Sequence, residues 1–214
     1  HASKLVKSGF RTLHDLRTCA SLSDHLNEVQ LLGLTYYDEM QRRIPYAEIQ
    51  AHEVLLKDTL ARCDPQGELT IAGSYRRGKP DSGDIDVLIK GATKATYETF
   101  LQTLLSEGYL VCTLAHGPKK YMGMGQLGNE GQGRRIDIMY TKPEEYPFAI
   151  FYFTGSMEFN QRIRKDILDR GMTINEYSLK DSHTKKKVSH TFRTEQDIFD
   201  YLGYAYVEPG NRKE

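Results

Sequence analysis

Cysteine is scarce in this chain. Its 214 residues hold three, Cys19, Cys63 and Cys112, far apart and odd in number. That argues against a disulfide framework or a CxxC-type zinc site and for a reducing compartment. No apolar run approaches the roughly 20 residues of a membrane-spanning helix. No signal peptide is visible at the start, which opens on His1-Ala2-Ser3 without an initiator methionine, as a trimmed or partial chain would. Neither charge is in excess, with 29 lysines and arginines against 29 aspartates and glutamates. Neutrality overall is no sign of a nucleic-acid partner, yet a basic face can coexist with an acidic one. The basic runs are Arg76-Arg77, Lys119-Lys120, Arg134-Arg135, Arg162 with Arg164-Lys165, and Lys185-Lys186-Lys187. Taken singly, each reads more readily as solvated surface than as a binding site. Internal repeats and low-complexity segments are missing too. What remains is an ordinary globular composition, 39% hydrophobic and 27% charged. The length can bury a core without staples, as one domain or two small ones.

Residues 1–62 read as helical. Leu5, Val6, Phe10, Leu13 and Leu16 recur at helical spacing, and Pro45 suits the first turn of a long helix over 46–62. Pro65 and Gly67 end it. A short strand over 69–72 leads into a turn-rich stretch, 73–83, and then into an alternating strand, 84–90. A helix over 95–107 covers one face of a sheet whose further strands are 109–115, 119–127 and 134–140. Helices follow over 144–153 and 157–170, separated by Thr154-Gly155-Ser156. The last forty residues read as strand over 173–179, a basic loop over 180–190 and a helix over 195–202.

The informative segment is Gly73-Ser74-Tyr75-Arg76-Arg77-Gly78, followed by Gly83-Asp84-Ile85-Asp86. Side chains alternate along a strand, so Asp84 and Asp86 share one face and Ile85, Val87 and Ile89 the opposite, buried one. Two carboxylates so close repel unless a positive charge sits between them, and a hard cation with oxygen ligands suits them. Backbone N–H groups of the Gly73-Ser74 turn can meet a phosphate. In Arg135-Ile136-Asp137-Ile138 the isoleucines face inward and Asp137 the other way. If this strand lies beside 84–90, Asp137 joins the first pair, and three carboxylates permit two metal ions. Each piece alone has a blander reading: a polar strand face for the aspartates, a turn for Ser74, a structural ion pair for Arg164 and Glu176.

Gly-Ser followed by Asp-x-Asp resembles the signature of the nucleotidyltransferase superfamily. With Arg-Arg-Ile-Asp-Ile, Tyr152-Phe153-Thr154-Gly155-Ser156, Asn160, Arg164 and Thr173-Ile174-Asn175-Glu176-Tyr177, the chain resembles family X DNA polymerases, nearest to the DNA polymerase beta type, from about residue 4 to 212. The resemblance implies an α+β fold in three parts. These are a helical DNA-binding subdomain (1–42), a palm with a mixed or antiparallel sheet carrying the aspartates (43–150), and a small α+β nucleotide-selection subdomain (151–214). It implies templated addition of a dNTP to a primer 3′-hydroxyl, as in short-gap filling during base-excision repair. Two Mg2+ ions, replaceable by Mn2+, would be held by Asp84, Asp86 and Asp137. Ser74, Arg77, Arg43 and the backbone of Gly73 and Gly83 would meet the triphosphate. Tyr152, Phe153 and Gly155 would line the sugar pocket, Met157 would lie against the base, and Asn160 would read its minor-groove edge. Arg135 would neutralise charge beside the primer end. Arg164 would touch the template strand and, with Glu176 and Tyr177, switch partners on closure. The expected partners are a gapped primer-template and a dNTP, with no membrane, for a monomer in the nucleus or mitochondrion.

Some positions depart from the family. Met157 replaces a small or acidic residue, Met139 an arginine of the closure switch, and Gln161 a basic residue near the template. The family's N-terminal lyase domain has no counterpart here, so lyase activity is not expected of this chain. Two other readings compete: a nucleotidyltransferase with another acceptor (a template-independent DNA end, RNA or a small molecule), and a DNA-binding module without catalysis.

Overall fold

The computed structural model describes residues 2–91 and 93–212. Its N-terminal part is helical, but in short pieces: α1 (Ala2–Lys7), α2 (Leu13–Arg17), α3 (Glu28–Thr35) and α4 (Tyr37–Met40). The helical spacing read in the sequence is broken at Gly9, whose φ of 96° ends α1. Reciprocal capping boxes restart the chain, Thr12 with Asp15 for α2 and Asn27 with Gln30 for α3.

After β1 (Ile44–Pro45) comes α5 (Tyr46–Cys63), then β2 (Glu68–Ile71), α6 (Gly73–Arg76), β3 (Asp81–Ser82), β4 (Ile85–Lys90), α7 (Lys94–Ser106), β5 (Leu110–His116), β6 (Lys120–Gly125) and β7 (Arg134–Thr141). The stretch expected as turn, 73–83, therefore contains a helical turn and a two-residue strand, and that strand pairs with β1. The main sheet runs β2-β4-β7-β6-β5. It is mixed, because β4 and β7 are parallel and the other pairs antiparallel. One face carries Ile85, Val87, Ile136 and Ile138 against Ile49, Leu56 and Leu60 of α5 and Phe100, Leu101 and Leu104 of α7.

The chain continues through α8 (Tyr146–Thr154), α9 (Met157–Asp169), β8 (Met172–Ile174), β9 (Leu179–Asp181) and α10 (Glu195–Leu202). α8 is apolar nearly all round, and it is buried nearly all round. Ala149 and Ile150 cover Leu88 and Met139 on the second face of the sheet. Phe148 and Phe151 belong to a separate C-terminal core with Phe159, Ile167, Ile198, Phe199 and Leu202. The expected strand over 173–179 is split. The Asn175 side chain accepts the N–H groups of Tyr177 and Ser178, both at 3.0 Å, and turns the chain back into the β8–β9 hairpin.

Inside the first core, α5 buries His52 completely. Its Nδ1 lies 2.8 Å from the Tyr109 hydroxyl oxygen. Burial pulls the imidazole pKa down to about 4, against the opposing pull of Glu48. The folded protein therefore keeps His52 neutral where the unfolded chain, with an ordinary imidazole, takes up a proton. Stability should be full above pH 6.5 and fall by up to about 3 kcal/mol towards pH 4 from this group. Urea unfolding between pH 7 and pH 4 checks it: His52→Met should flatten the slope, and an unchanged slope would contradict it.

Candidate active site

Parallel pairing of β4 and β7 sets Asp86 directly beside Asp137. Adjacent strands are about 4.8 Å apart, and both carboxylates project from the face opposite the isoleucines. Asp84 lies in the bend that leads into β4. Three like charges thus meet at one end of the sheet, in a sheltered position. Burial drives the Asp86 carboxyl up to about 7, helped by the charges of Asp84 and Asp137. Burial also raises Asp84, with Arg135 opposing. Two basic side chains compensate: Lys120 Nζ is 2.9 Å from Asp137 Oδ2, and Arg135 Nη2 is 3.1 Å from Asp84 Oδ2. Among the described residues, no three acidic, histidine or cysteine side chains enclose a common metal site as they stand. The donor set nevertheless fits a hard divalent cation. It consists of carboxylate oxygens alone, and Asp137 Oδ1 is buried without a hydrogen-bond partner among the described residues.

Beside the carboxylates opens a cavity of about 680 Å3. Asp84 and Asp86 form one wall. Gly73 opens α6 at a φ of 59°, and a Cβ there would run into the Asp86 carboxylate, so only glycine lets the backbone come this close. Ser74 also lines the cavity, its hydroxyl donating to Ser82 Oγ at 2.7 Å. Arg43 and Gly83 line it as well, with Arg43 held on Asp81 Oδ1 at 2.7 Å. Arg77 lines the wall while donating to the Thr154 carbonyl at 2.6 Å.

The remaining wall is the end of α8 and the start of α9. Tyr152 and Phe153 meet edge to face at 5.3 Å. Gly155, at a φ of 70°, sits against the Arg77 guanidinium, which a Cβ would approach to 2.9 Å. Ser156 caps α9, and Met157 projects into solvent at the rim, 66% exposed. Asn160 donates from Nδ2 to the Tyr152 carbonyl at 2.7 Å, and its buried Oδ1 at the cavity has no partner among the described residues. All ten side chains or backbone positions expected around a nucleotide therefore line one space. The sequence reading missed Lys79, Pro80 and Asp81 in the same wall. Their nearest signal was the Arg-Arg-Gly turn just before them.

The closure residues are not assembled together. Arg164 rests over the Tyr152 ring at 5.9 Å. Tyr177 packs near Leu88 and Met139 with the Lys119 ammonium over its ring at 5.1 Å, and Lys119 pairs with Glu145 at 3.1 Å. Arg76 has no role of its own in the sequence, only a place in a basic run and in the Gly73–Gly78 segment. It binds Thr154 Oγ1 at 2.6 Å and Glu195 at 3.1 Å, and Glu195 in turn holds the buried Arg212 at 2.7 Å. The cavity wall is thereby tied to α10 and to the C-terminal segment.

Carboxylates on paired parallel strands, beside a cavity lined by arginine, lysine and a glycine-opened helical turn, define a palm of the nucleotidyltransferase type. Three family models match along the chain: DNA polymerase beta palm over residues 43–143, DNA polymerase beta thumb over 149–213, and the fingers domain of DNA polymerase lambda over 1–41. The chain belongs to family X of the DNA polymerases. It is 33% identical to DNA polymerase lambda of Rattus norvegicus over 95% of its own length and 38% of that protein. It is 29% identical to DNA polymerase lambda of Arabidopsis thaliana, covering 99% of itself and 43% of the relative. For DNA nucleotidylexotransferase of Xenopus laevis the identity is 27%, over 99% and 49%. The chain thus spans less than half the length of these relatives.

Proposed function

We propose that this chain carries the nucleotidyl-transfer centre of a DNA-directed DNA polymerase that adds a dNTP to a primer 3′-hydroxyl and fills short gaps in base-excision repair. The observation that carries it is the register of Asp86 with Asp137, beside a cavity whose walls suit a nucleoside triphosphate. Divalent cations held by Asp84, Asp86 and Asp137 would supply the Lewis acidity that a hydroxyl nucleophile and a pyrophosphate leaving group need. The bond from the 3′-oxygen to the α-phosphorus forms, and the α–β anhydride bond breaks.

The protein's own side chains do the positioning, which is most of the catalysis in phosphoryl transfer. Arg43 and Arg77 present always-charged guanidinium groups to the triphosphate, and Ser74 and the Gly73 N–H add donors. Arg135 spreads positive charge over Asp84 and the primer end. The Gly155 backbone, with Tyr152 and Phe153, leaves little room beside the sugar, where a ribose 2′-hydroxyl would meet the main chain. The unpartnered Asn160 Oδ1 accepts from a base edge.

Primer extension on a one-nucleotide gapped duplex with Mg2+, with and without the template strand, tests this reading. Extension that needs the template supports it. Equal extension of single-stranded ends would favour terminal addition, the activity named in the Xenopus laevis relative. Arg164→Ala should lower kcat/KM by about tenfold or more and raise the misincorporation ratio, with unfolding free energy changed by less than about 0.5 kcal/mol, because Arg164 is exposed and rests over the Tyr152 ring. An unchanged misincorporation ratio would count against a role for Arg164 at the nascent pair.

A further inference from the structure

β6 runs antiparallel to β7, with Met122 opposite Asp137 and Lys120 opposite Met139. Lys120 and Asp137 therefore sit on one face of the sheet at diagonal positions, a separation that a long side chain can bridge. The Lys120 ammonium does so, at 2.9 Å from Asp137 Oδ2. Together with Asp86, Asp137, Met139 and Phe153 it lines a small recess under the carboxylates. The Lys120 side chain is 42% exposed and that of Asp137 only 11%, so the acid is fixed in the sheet and the base reaches in from solvent. Arg135 approaches Asp137 only to 4.0 Å and is engaged at 3.1 Å with Asp84. Among the described residues Lys120 is thus the nearest positive charge to the third carboxylate.

A divalent ion drawn to this carboxylate would come within a few ångströms of the ammonium already on Asp137 Oδ2. The two positive charges repel, so binding of one disfavours the other. An ammonium suits a replaceable partner: it is a compact charge on a flexible stem, without the bidentate grip of a guanidinium. We propose that Lys120 is a built-in counter-ion, which holds Asp137 in the site while no divalent cation is bound and yields its place when one arrives. Lys120 is then a positioning residue that acts through Asp137 and sets the concentration at which the cation enters. The inference rests on the reading of the three aspartates as cation ligands.

The test is a Mn2+ titration of the chain without DNA or nucleotide, followed by the EPR signal of free Mn2+, for the wild type, Lys120→Met, Asp137→Asn and the double variant. Lys120→Met keeps the stem and removes the charge. It should bind Mn2+ about three- to tenfold more tightly than the wild type, the scale of a partly exposed ion pair. Its melting temperature should be lower than that of the wild type without metal and rise further when Mn2+ is added. In the Asp137→Asn background the gain in affinity should vanish. Equal or weaker binding by Lys120→Met, or a gain that survives in the double variant, would overturn the counter-ion role even though the aspartates bind Mn2+. Wild-type Mn2+ binding that Asp137→Asn leaves unchanged would instead remove the cation-ligand reading on which the inference stands.

Discussion

Asp137→Ala is expected to abolish primer extension, lowering kcat/KM by about a thousandfold or more, while binding of a dNTP with Mg2+ stays within about fivefold of the wild type. The split follows from position. Asp84 and Asp86 line the nucleotide cavity directly, whereas Asp137 projects from the neighbouring strand and is absent from its wall. Removing Asp137 therefore takes away the carboxylate assigned to the primer side and leaves the triphosphate side in place. The fold should survive, because Ile136 and Ile138 still anchor β7 in the core. Single-turnover extension on gapped DNA, together with equilibrium binding of a non-hydrolysable dNTP, separates the two effects. Turnover within tenfold of the wild type would deny Asp137 its role, and loss of nucleotide binding would place it on the other side of the reaction.

The largest effect on stability should come from Glu195→Ala. Glu195 is the common partner of Arg76, Arg212 and the Tyr206 hydroxyl. Arg212 is fully buried, with its guanidinium 5.2 to 5.8 Å from the ring centres of Phe151, Phe159, Phe199 and Tyr206. Truncating the carboxylate leaves that charge without its counter-ion in an apolar core, which costs about 3–5 kcal/mol. Burial by itself would raise the Glu195 pKa, but the hydrogen bond from Arg212 and the charges of Arg212 and Arg76 outweigh it and hold the carboxyl below its ordinary value. The stabilisation is therefore present above the unfolded carboxyl pKa and is lost as pH falls through the lower folded value. The same substitution frees Arg76, whose other bond is to Thr154, next to Gly155 in the cavity wall, so the KM for nucleotide should rise as well. Urea unfolding at pH 7 measures the first effect; a loss below about 1 kcal/mol would show that the cluster is solvated.

The catalytic strands were the most legible part of the molecule. Alternation alone separated Asp86 from Val87 and Asp137 from Ile138, because a half-buried strand must sort its side chains by face. The extents of α5, α7 and α10 were visible to within about a residue, that of α5 from its Pro45 start and its Pro65-Gly67 stop. Parallel pairing of β4 with β7 was not, since it joins segments about fifty residues apart and leaves no local trace; the sequence could only make it a condition. The Arg76–Glu195–Arg212 cluster escaped for the same reason, spanning 119 residues between Arg76 and Glu195. β1 and β3 are two residues each, too short for any periodicity. Asn175 was readable as a turn former, but its place inside an apparent strand hid it. Lys120 looked like surface charge, and only the β6–β7 register brings it to Asp137.

The most direct measurement is a crystal of the chain with gapped DNA, a non-hydrolysable dNTP and Mn2+, mapped by anomalous scattering. Two peaks about 4 Å apart, both touching Asp84 and Asp86 and one also touching Asp137, are the expected result. A bound nucleotide with no peak among the three carboxylates, or with Asp137 still paired to Lys120 beside a filled site, would contradict it.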